Sequence, residues 1–111
     1  MGNFISDLRK PRLSPDERAV YTVLAQKTHN HWRLQPEDAQ KMDRILRESL
    51  APALASDTSG EVALLRIGKR KNDSESAQRI RRTLEQELHC RTHIKDETLY
   101  MEIDAFVRSF V

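Results

Sequence analysis

The chain has 111 residues, which fits one domain, because domains usually contain about 100–150 residues and a second core would lack apolar material. Its 38% hydrophobic and 32% charged content is typical of folded proteins and exceeds what disordered chains offer. Nineteen Lys and Arg residues against seventeen Asp and Glu residues give a formal net charge of +2, which argues against a surface devoted entirely to nucleic acid.

Aromatic residues make up only 5% of the chain, so the core has to consist mainly of aliphatic side chains. A core of this kind often gains from a partner, which leaves a homodimer open. The one cysteine, Cys90, cannot form an internal disulfide, and we see no secretory leader. The apolar runs LAPALA and VALL fall far short of the roughly 20 residues of a membrane span. We expect a cytoplasmic protein that meets a membrane only at its surface, with a nuclear location as the alternative.

The N-terminal region reads as separate from the fold. Residues 1–13 contain Pro11 and several basic residues without sustained periodicity. We therefore expect a flexible N-terminal arm at 1–13, followed by a single α+β domain at 14–111.

The clearest helix start lies in the stretch SPDE. Ser14 takes the N-cap position, Pro15 the first helical position and Glu17 the third, an arrangement that satisfies the free amides of a first turn. This first helix should end near THNHW. Its core-facing residues are expected to be Val20, Val23 and Leu24.

A second helix is predicted to begin at Pro36 in PEDAQ. Pro52 should end or kink it, because proline lacks the amide donor and clashes with the preceding turn. The apolar residues that recur at helical spacing are Ala39, Met42, Ile45, Leu46 and Leu50.

The rest of the chain predicts a small sheet and a third helix. EVALLRIG is short, apolar and closed by Gly68, which favours a buried strand. KRKNDS reads as a turn before the helix, and RTHIK and LYMEI around DET read as a hairpin. The predicted fold is α+β, with three helices and a sheet of about three strands, one central strand plus a C-terminal hairpin. The third helix should bury Ala77, Ile80, Leu84 and Leu88.

The C-terminal stretch DAFVRSFV leaves two structures open, a continued strand or a terminal helix. Its final residues RSFV also match, weakly, the general form of peptides that PDZ domains capture by their terminal carboxylate. Burial within the domain is the preferred interpretation. The residues expected to close the core are Phe106, Val107, Phe110 and Val111.

The first six residues match the N-myristoylation motif M-G-x-x-x-[ST], with Gly2 as acceptor and Ser6 at the last position. One myristoyl chain binds membranes only marginally, with an association constant on the order of 10⁴ per molar, so a second signal is needed. Nearby cations supply that signal against an anionic leaflet, and two apolar side chains can insert beside the chain. A eukaryotic, viral or translocated bacterial protein would meet the transferase. The expected membrane-contact residues are Phe4, Ile5, Arg9, Lys10 and Arg12.

A second basic region lies at 66–82, in RIGKRKNDSESAQRIRR. It suits a phosphate-binding or nucleic-acid-binding face, or a solvated helix in which Arg81 pairs with Glu85 four residues on. No aromatic residue is interleaved for base stacking between Trp32 and Tyr100. The candidate anion-binding residues are Arg66, Lys69, Arg70, Lys71, Arg79, Arg81 and Arg82.

Metal and catalytic sites are not favoured. A zinc site built from His29, His31, His89, Cys90 and His93 would have one cysteine and no Cys-x-x-Cys half, so we expect no metal and a buried Cys90. No nucleophile with a base and no Gly-rich phosphate loop is evident, and hairpin alternation places Glu102 and Asp104 on a solvent face. We expect no cofactor and no enzymatic activity.

Three functions remain open from the residues alone. The first is a non-enzymatic accessory or adaptor protein, myristoylated at Gly2, held at the cytoplasmic face of a membrane and acting on a protein partner. The second is a nucleic-acid-binding regulator that uses the basic region 66–82. The third is a small dimeric bacterial chaperone or immunity-type protein, for which the N-terminal motif has no meaning.

Overall fold

A computed structural model describes residues 12–29 and 34–109 of the chain. Helix α1 spans Pro15–His29. Its start confirms the predicted capping box, because the Ser14 amide donates to Glu17 Oε1 at 2.8 Å and the Glu17 amide donates to Ser14 Oγ at 3.2 Å. The predicted limit of the arm stays a prediction, since residues 1–11 lie outside the described part.

The second helical segment runs past Pro52. Helix α2 (Pro36–Ile45) continues into a π-helical turn (Leu46–Leu50) and then into α3 (Ala51–Ala55). Of the two alternatives predicted for Pro52, an end or a kink, the end is wrong, because the helical segment continues to Ala55. The Ala51 amide donates to the carbonyl of Leu46, five residues back, so the chain changes its hydrogen-bond pattern just before proline removes a donor.

Strand β1 spans Gly60–Arg66 and helix α4 spans Lys71–Leu88. The predicted turn KRKNDS is therefore too long, because helix α4 begins within it, at Lys71. All four residues expected on the buried face of α4 are buried, in agreement with their helical spacing: Ala77, Ile80, Leu84 and Leu88.

The predicted hairpin is present as β2 (Thr92–Lys95) and β3 (Thr98–Ile103). Asp96 and Glu97 form its two-residue turn, with positive φ angles of 50° and 60°. Positive φ at both central residues is the mark of a type I′ turn, whose twist matches that of the two strands. A hairpin turn of this type normally contains Asn or Gly.

The chain continues after β3 into the short helix α5 (Ala105–Arg108), which settles the terminal segment as helical. Asp104 caps it by accepting a hydrogen bond from the Val107 amide at 3.0 Å. Val107 is buried as expected, but Phe106 is 55% exposed, so its predicted core position is wrong. A helix turns adjacent side chains about 100° apart, and only one of this pair can face the core. Phe110 and Val111 lie outside the described residues.

The three strands form an antiparallel sheet in the order β1-β3-β2. With three long helices, this confirms the predicted α+β class. Within that class, the strand from the middle of the chain lies at one edge, and the second hairpin strand occupies the centre.

One hydrophobic core joins the helices to one face of the sheet. Cys90 belongs to it and is 7% exposed, as predicted. The alternate residues of β3 point the other way and are half-buried, so the second face of the sheet is open. The core residues include Leu24, Met42, Ile45, Leu46, Leu50, Leu64, Ile80, Leu84, Leu88, Leu99, Met101 and Ile103.

Candidate nucleic-acid interface

The membrane-contact residues proposed from the sequence fall mostly outside the described part of the chain. Gly2, Phe4, Ile5, Arg9 and Lys10 all precede residue 12. Arg12 is described and exposed. The acylation hypothesis therefore keeps its sequence basis alone.

Arg79 is half-buried and is bound to the buried carboxylate of Asp38. Its Nε donates to Asp38 Oδ2 at 2.5 Å, and Ser76 Oγ donates to Asp38 Oδ1 at 2.5 Å. Burial raises the pKa of the Asp38 carboxyl, but the hydrogen bonds from Arg79 and Ser76 and the charges of Arg79 and Lys41 outweigh it and lower that pKa. Asp38 in turn raises the pKa of Arg79. This cluster joins α2 to α4, so Arg79 is not available as an anion-binding residue.

Arg81 is also engaged within the protein. Its Nε donates to Thr92 Oγ1 at 2.8 Å, and the Thr92 hydroxyl donates to Glu85 Oε2 at 2.9 Å. The Arg81 Nε lies 3.8 Å from Glu85 Oε2, which is the pair expected four residues apart. The pair is part of a link between α4 and β2, and Arg81 is therefore a structural residue.

Four candidate cations remain together where β1 turns into α4. We call Arg66, Lys69, Arg70 and Lys71 the basic loop, although Lys71 is the first residue of α4. All are exposed, and none forms an ion pair or side-chain hydrogen bond with another described residue. Arg82, further along α4, is exposed and equally unpaired within the described part. The structure thus divides the predicted anion-binding residues into a structural and a free set.

The position of the basic loop adds to its positive potential. Two of its residues, Arg70 and Lys71, lie at the N-terminal end of α4, where free amides already carry partial positive charge. Arg70 is the N-cap residue and makes no side-chain cap. Cations are unfavourable at this end of a helix. An incoming anion would relieve that repulsion.

Carboxylates next to the basic loop reduce its charge only in part. Asp73 lies against Gly68, where an added Cβ would meet its Oδ2, and Asp73 Oδ1 is 3.8 Å from Lys41 Nζ. The hairpin turn is also close, because the Ile67 amide donates to the carbonyl of Glu97 at 2.7 Å. Asp96 and Glu97 in that turn are exposed. Positive charge still exceeds negative charge on this surface.

The open face of the sheet carries two rings. His93 and Tyr100 are directly paired across β2 and β3, and their rings stack with centroids 5.3 Å apart and planes inclined by 13°. Glu61 Oε1 lies 3.3 Å from His93 Nε2. Ala63, the partner of Tyr100 on β1, is small and exposed. We call His93 and Tyr100 the ring pair.

Charge changes sign along this face of the sheet. On the side of the ring pair nearest the hairpin turn, Thr98 pairs with Arg66 on one side and Lys95 on the other. On the far side, Glu61 pairs with Glu102, which lies on the open face as predicted. The basic end of the sheet leads into the basic loop.

The ring pair was missed by the sequence analysis, which counted aromatic residues only within the basic region. The signal was available in the alternation of the hairpin. Once Lys95 and Thr98 are taken to flank a two-residue turn, His93 must face Tyr100 on the solvent side.

The start of α1 and the basic loop lie toward opposite ends of β1. Ser14 and Glu17 line a shallow cavity together with Pro52 and Ser56, a few residues before β1 begins, whereas the basic loop follows the end of β1.

Cys90 does not have the properties of a reactive thiol. Its Sγ donates to the carbonyl of Leu84 at 3.4 Å, and burial raises its pKa to about 12. Asp104 is an exposed helix cap. Among the residues that the structure describes, no three His, Cys, Asp or Glu side chains are grouped so as to hold a metal ion.

No helix in residues 12–29 or 34–109 combines the length and apolar character needed to cross a membrane. No family model, no curated protein and no solved structure matched the chain.

Proposed function

We propose that the protein is a small non-enzymatic accessory protein that binds the phosphate backbone of nucleic acid through its basic loop. The observation that carries this proposal is the free state of four neighbouring cations at the N-terminal end of α4. Elsewhere in the same predicted region, Arg79 and Arg81 are used to hold the fold together. Exposed cations that satisfy no internal partner are available to phosphate oxygens.

Binding of this kind is expected to be weak and largely independent of sequence. Contacts between Lys or Arg and phosphate oxygens carry no base information, and such binding has dissociation constants on the order of 10⁻⁴–10⁻⁶ M at physiological salt. The basic loop alone therefore predicts an auxiliary affinity, consistent with a net charge of only +2.

The test is fluorescence anisotropy of a labelled DNA duplex with the double variant Lys69→Glu/Arg70→Glu. Arg18→Glu/Arg44→Glu is the charge-matched control, because Arg18 of α1 and Arg44 of α2 are exposed cations with no ion pair to a described residue. We expect the loop variant to bind at least about tenfold more weakly, and the control to lose much less. Equal losses would show that only total charge matters and would overturn the proposal.

The carboxylates of the hairpin turn provide a test in the opposite direction. Asp96→Asn/Glu97→Gln removes two negative charges beside the basic loop and leaves every Lys and Arg in place. The affinity of this variant for the duplex should rise severalfold. Unchanged affinity would mean that the nucleic acid does not approach this end of the sheet.

We propose a second function on a separate observation, that of a membrane adaptor acylated at Gly2. The capping box of Ser14 and Glu17 starts α1, and the complete motif precedes it in the sequence. Arg9, Lys10 and Arg12 would supply the second, electrostatic signal at the cytoplasmic face of a membrane. The two proposals rest on different residues, the N-terminal motif with its cations and the basic loop.

The intact mass of the protein from its host cells tests the second function. A mass increase of one myristoyl group in the native protein, absent from Gly2→Ala, is the expected result. An unmodified or acetylated N-terminus would rule it out.

A further inference from the structure

We infer that the open face of the sheet binds a base of single-stranded nucleic acid on the ring pair, His93 and Tyr100. The inference rests on the proposed function, because it specifies single-stranded nucleic acid as the ligand whose phosphates the basic loop binds. It also adds binding residues that lie outside the basic region.

The ring pair is built as a platform. Tyr100 lies on the central strand, and His93 stacks against it from β2. On the other side of Tyr100, the directly paired residue Ala63 offers only a methyl group, while Glu61, two residues earlier on β1, places its Oε1 3.3 Å from His93 Nε2. The helices that form the core pack on the opposite face of the sheet. A planar group can therefore approach the Tyr100 ring from the side of Ala63.

Charge on the sheet favours a nucleotide in one orientation. Arg66 and Lys95 flank Thr98, which lies two residues, or about 7 Å, along β3 from Tyr100. Glu61 and Glu102 lie on the opposite side of the rings. A base stacked on Tyr100 would direct its phosphates away from these carboxylates and toward Lys95 and the basic loop, which includes Arg66.

A single strand fits this surface better than a duplex or a membrane. Bases in a duplex are stacked on one another and offer no free face, whereas unpaired bases stack readily on aromatic side chains. Lipid headgroups would satisfy the cations but have no planar group for the rings. A ring platform bordered by cations is the combination that single-strand-binding proteins use.

The test compares a labelled single-stranded RNA oligonucleotide with a duplex of equal length by anisotropy. Tyr100→Leu removes the ring, while Tyr100→Phe keeps it and serves as the matched control. We expect Tyr100→Leu to weaken single-strand binding by about tenfold and leave duplex binding unchanged, and Tyr100→Phe to retain both. Circular dichroism spectra show whether both variants are folded. If Tyr100→Leu is unfolded, His93→Leu gives an independent test of the ring pair.

The outcomes separate this inference from the proposed function. Duplex binding that depends on the basic loop, with no preference for single strands and no effect of the ring variants, would overturn the inference alone. Absence of binding to either nucleic acid would overturn both. Binding to anionic vesicles in place of oligonucleotides would assign the cations to a membrane and likewise overturn the inference.

Discussion

Asp38 shows how a single residue determines which cations are free. Its side chain is fully buried, and it accepts hydrogen bonds from Arg79 and Ser76 of α4. A buried carboxylate is tolerated only when its oxygens are paired in this way. The contact removes Arg79 from the set of available cations and fixes α4, which carries the basic loop at its start.

We predict that Asp38→Asn lowers the free energy of unfolding by about 2 kcal/mol at neutral pH, because charged hydrogen bonds become neutral ones. Because its pKa is lowered in the folded protein, Asp38 stabilises the fold at pH values above its ordinary pKa of 3.8, and this stabilisation is lost as the pH falls through the lowered pKa. Urea unfolding at neutral and acidic pH should show that the native protein and the variant differ less in free energy of unfolding below about pH 4. A difference independent of pH would contradict this role.

Cys90 leads to a prediction about chemical reactivity. With a pKa of about 12, the thiol is almost entirely protonated at neutral pH, and the thiolate is the reactive form. A thiol reagent should label the native protein very slowly and the urea-unfolded protein at an ordinary rate. Rapid labelling of the native protein would show that Cys90 is accessible.

The burial of Cys90 could be predicted from the sequence, whereas that of Asp38 could not. Burial of Cys90 was predicted from its place at the end of an amphipathic helix. Asp38 lies four residues before the buried Met42 and thus on the same face of α2. A charged residue whose partner is unknown is nevertheless predicted to be exposed to solvent. That partner, Arg79, lies 41 positions away and is brought close only by the fold.

At the scale of elements, the sequence predicted correctly where a helix starts but not how far the next helical segment extends. The capping box at Ser14 was predicted because all its atoms belong to four consecutive residues. Pro52 was expected to end or kink its helix, yet a π turn at Leu46–Leu50 leads into further helix, and Leu50 and Leu54 remain in one core. Packing of these side chains outweighs the local preference of proline.

The hairpin turn supplies a prediction about stability. Glu97 has a φ of 60°, a conformation that costs a residue with a side chain about 1 kcal/mol and that glycine adopts freely. Glu97→Gly should therefore raise the free energy of unfolding by about 0.5–1 kcal/mol, as measured by chemical denaturation. Asp57→Gly is the control, since Asp57 is not among the residues with positive φ and gains no such relief. Equal effects of the two variants would contradict the assignment of strain.

At the scale of the whole molecule, sequence could predict the class of the fold but not the arrangement of its surfaces. Periodicity gave the three long helices and the strands, because amphipathic patterns are local. It could not place β3 between β1 and β2, or His93 beside Tyr100 at the basic end of the sheet. Those relations depend on strand order and register, which bring distant residues together.

The same arrangement divides the charge of the protein. Cations that were adjacent in sequence separate into those that tie α4 to α2 and β2 and those that remain exposed. The free cations gather where β1 meets α4, at the end of β1 opposite the segment that packs near the start of α1. A protein with a small net charge can thus present one locally basic surface.

The most direct test of this account is the salt dependence of duplex binding by the native protein and by Lys69→Glu/Arg70→Glu. Each phosphate neutralised by a cation contributes about −0.9 to the slope of the logarithm of the association constant against the logarithm of salt concentration. For the four cations of the basic loop we predict a slope of about −3.6, reduced in magnitude by about 2 in the variant. Identical slopes for the two proteins would show that the basic loop does not contact the phosphates and would contradict the proposed function.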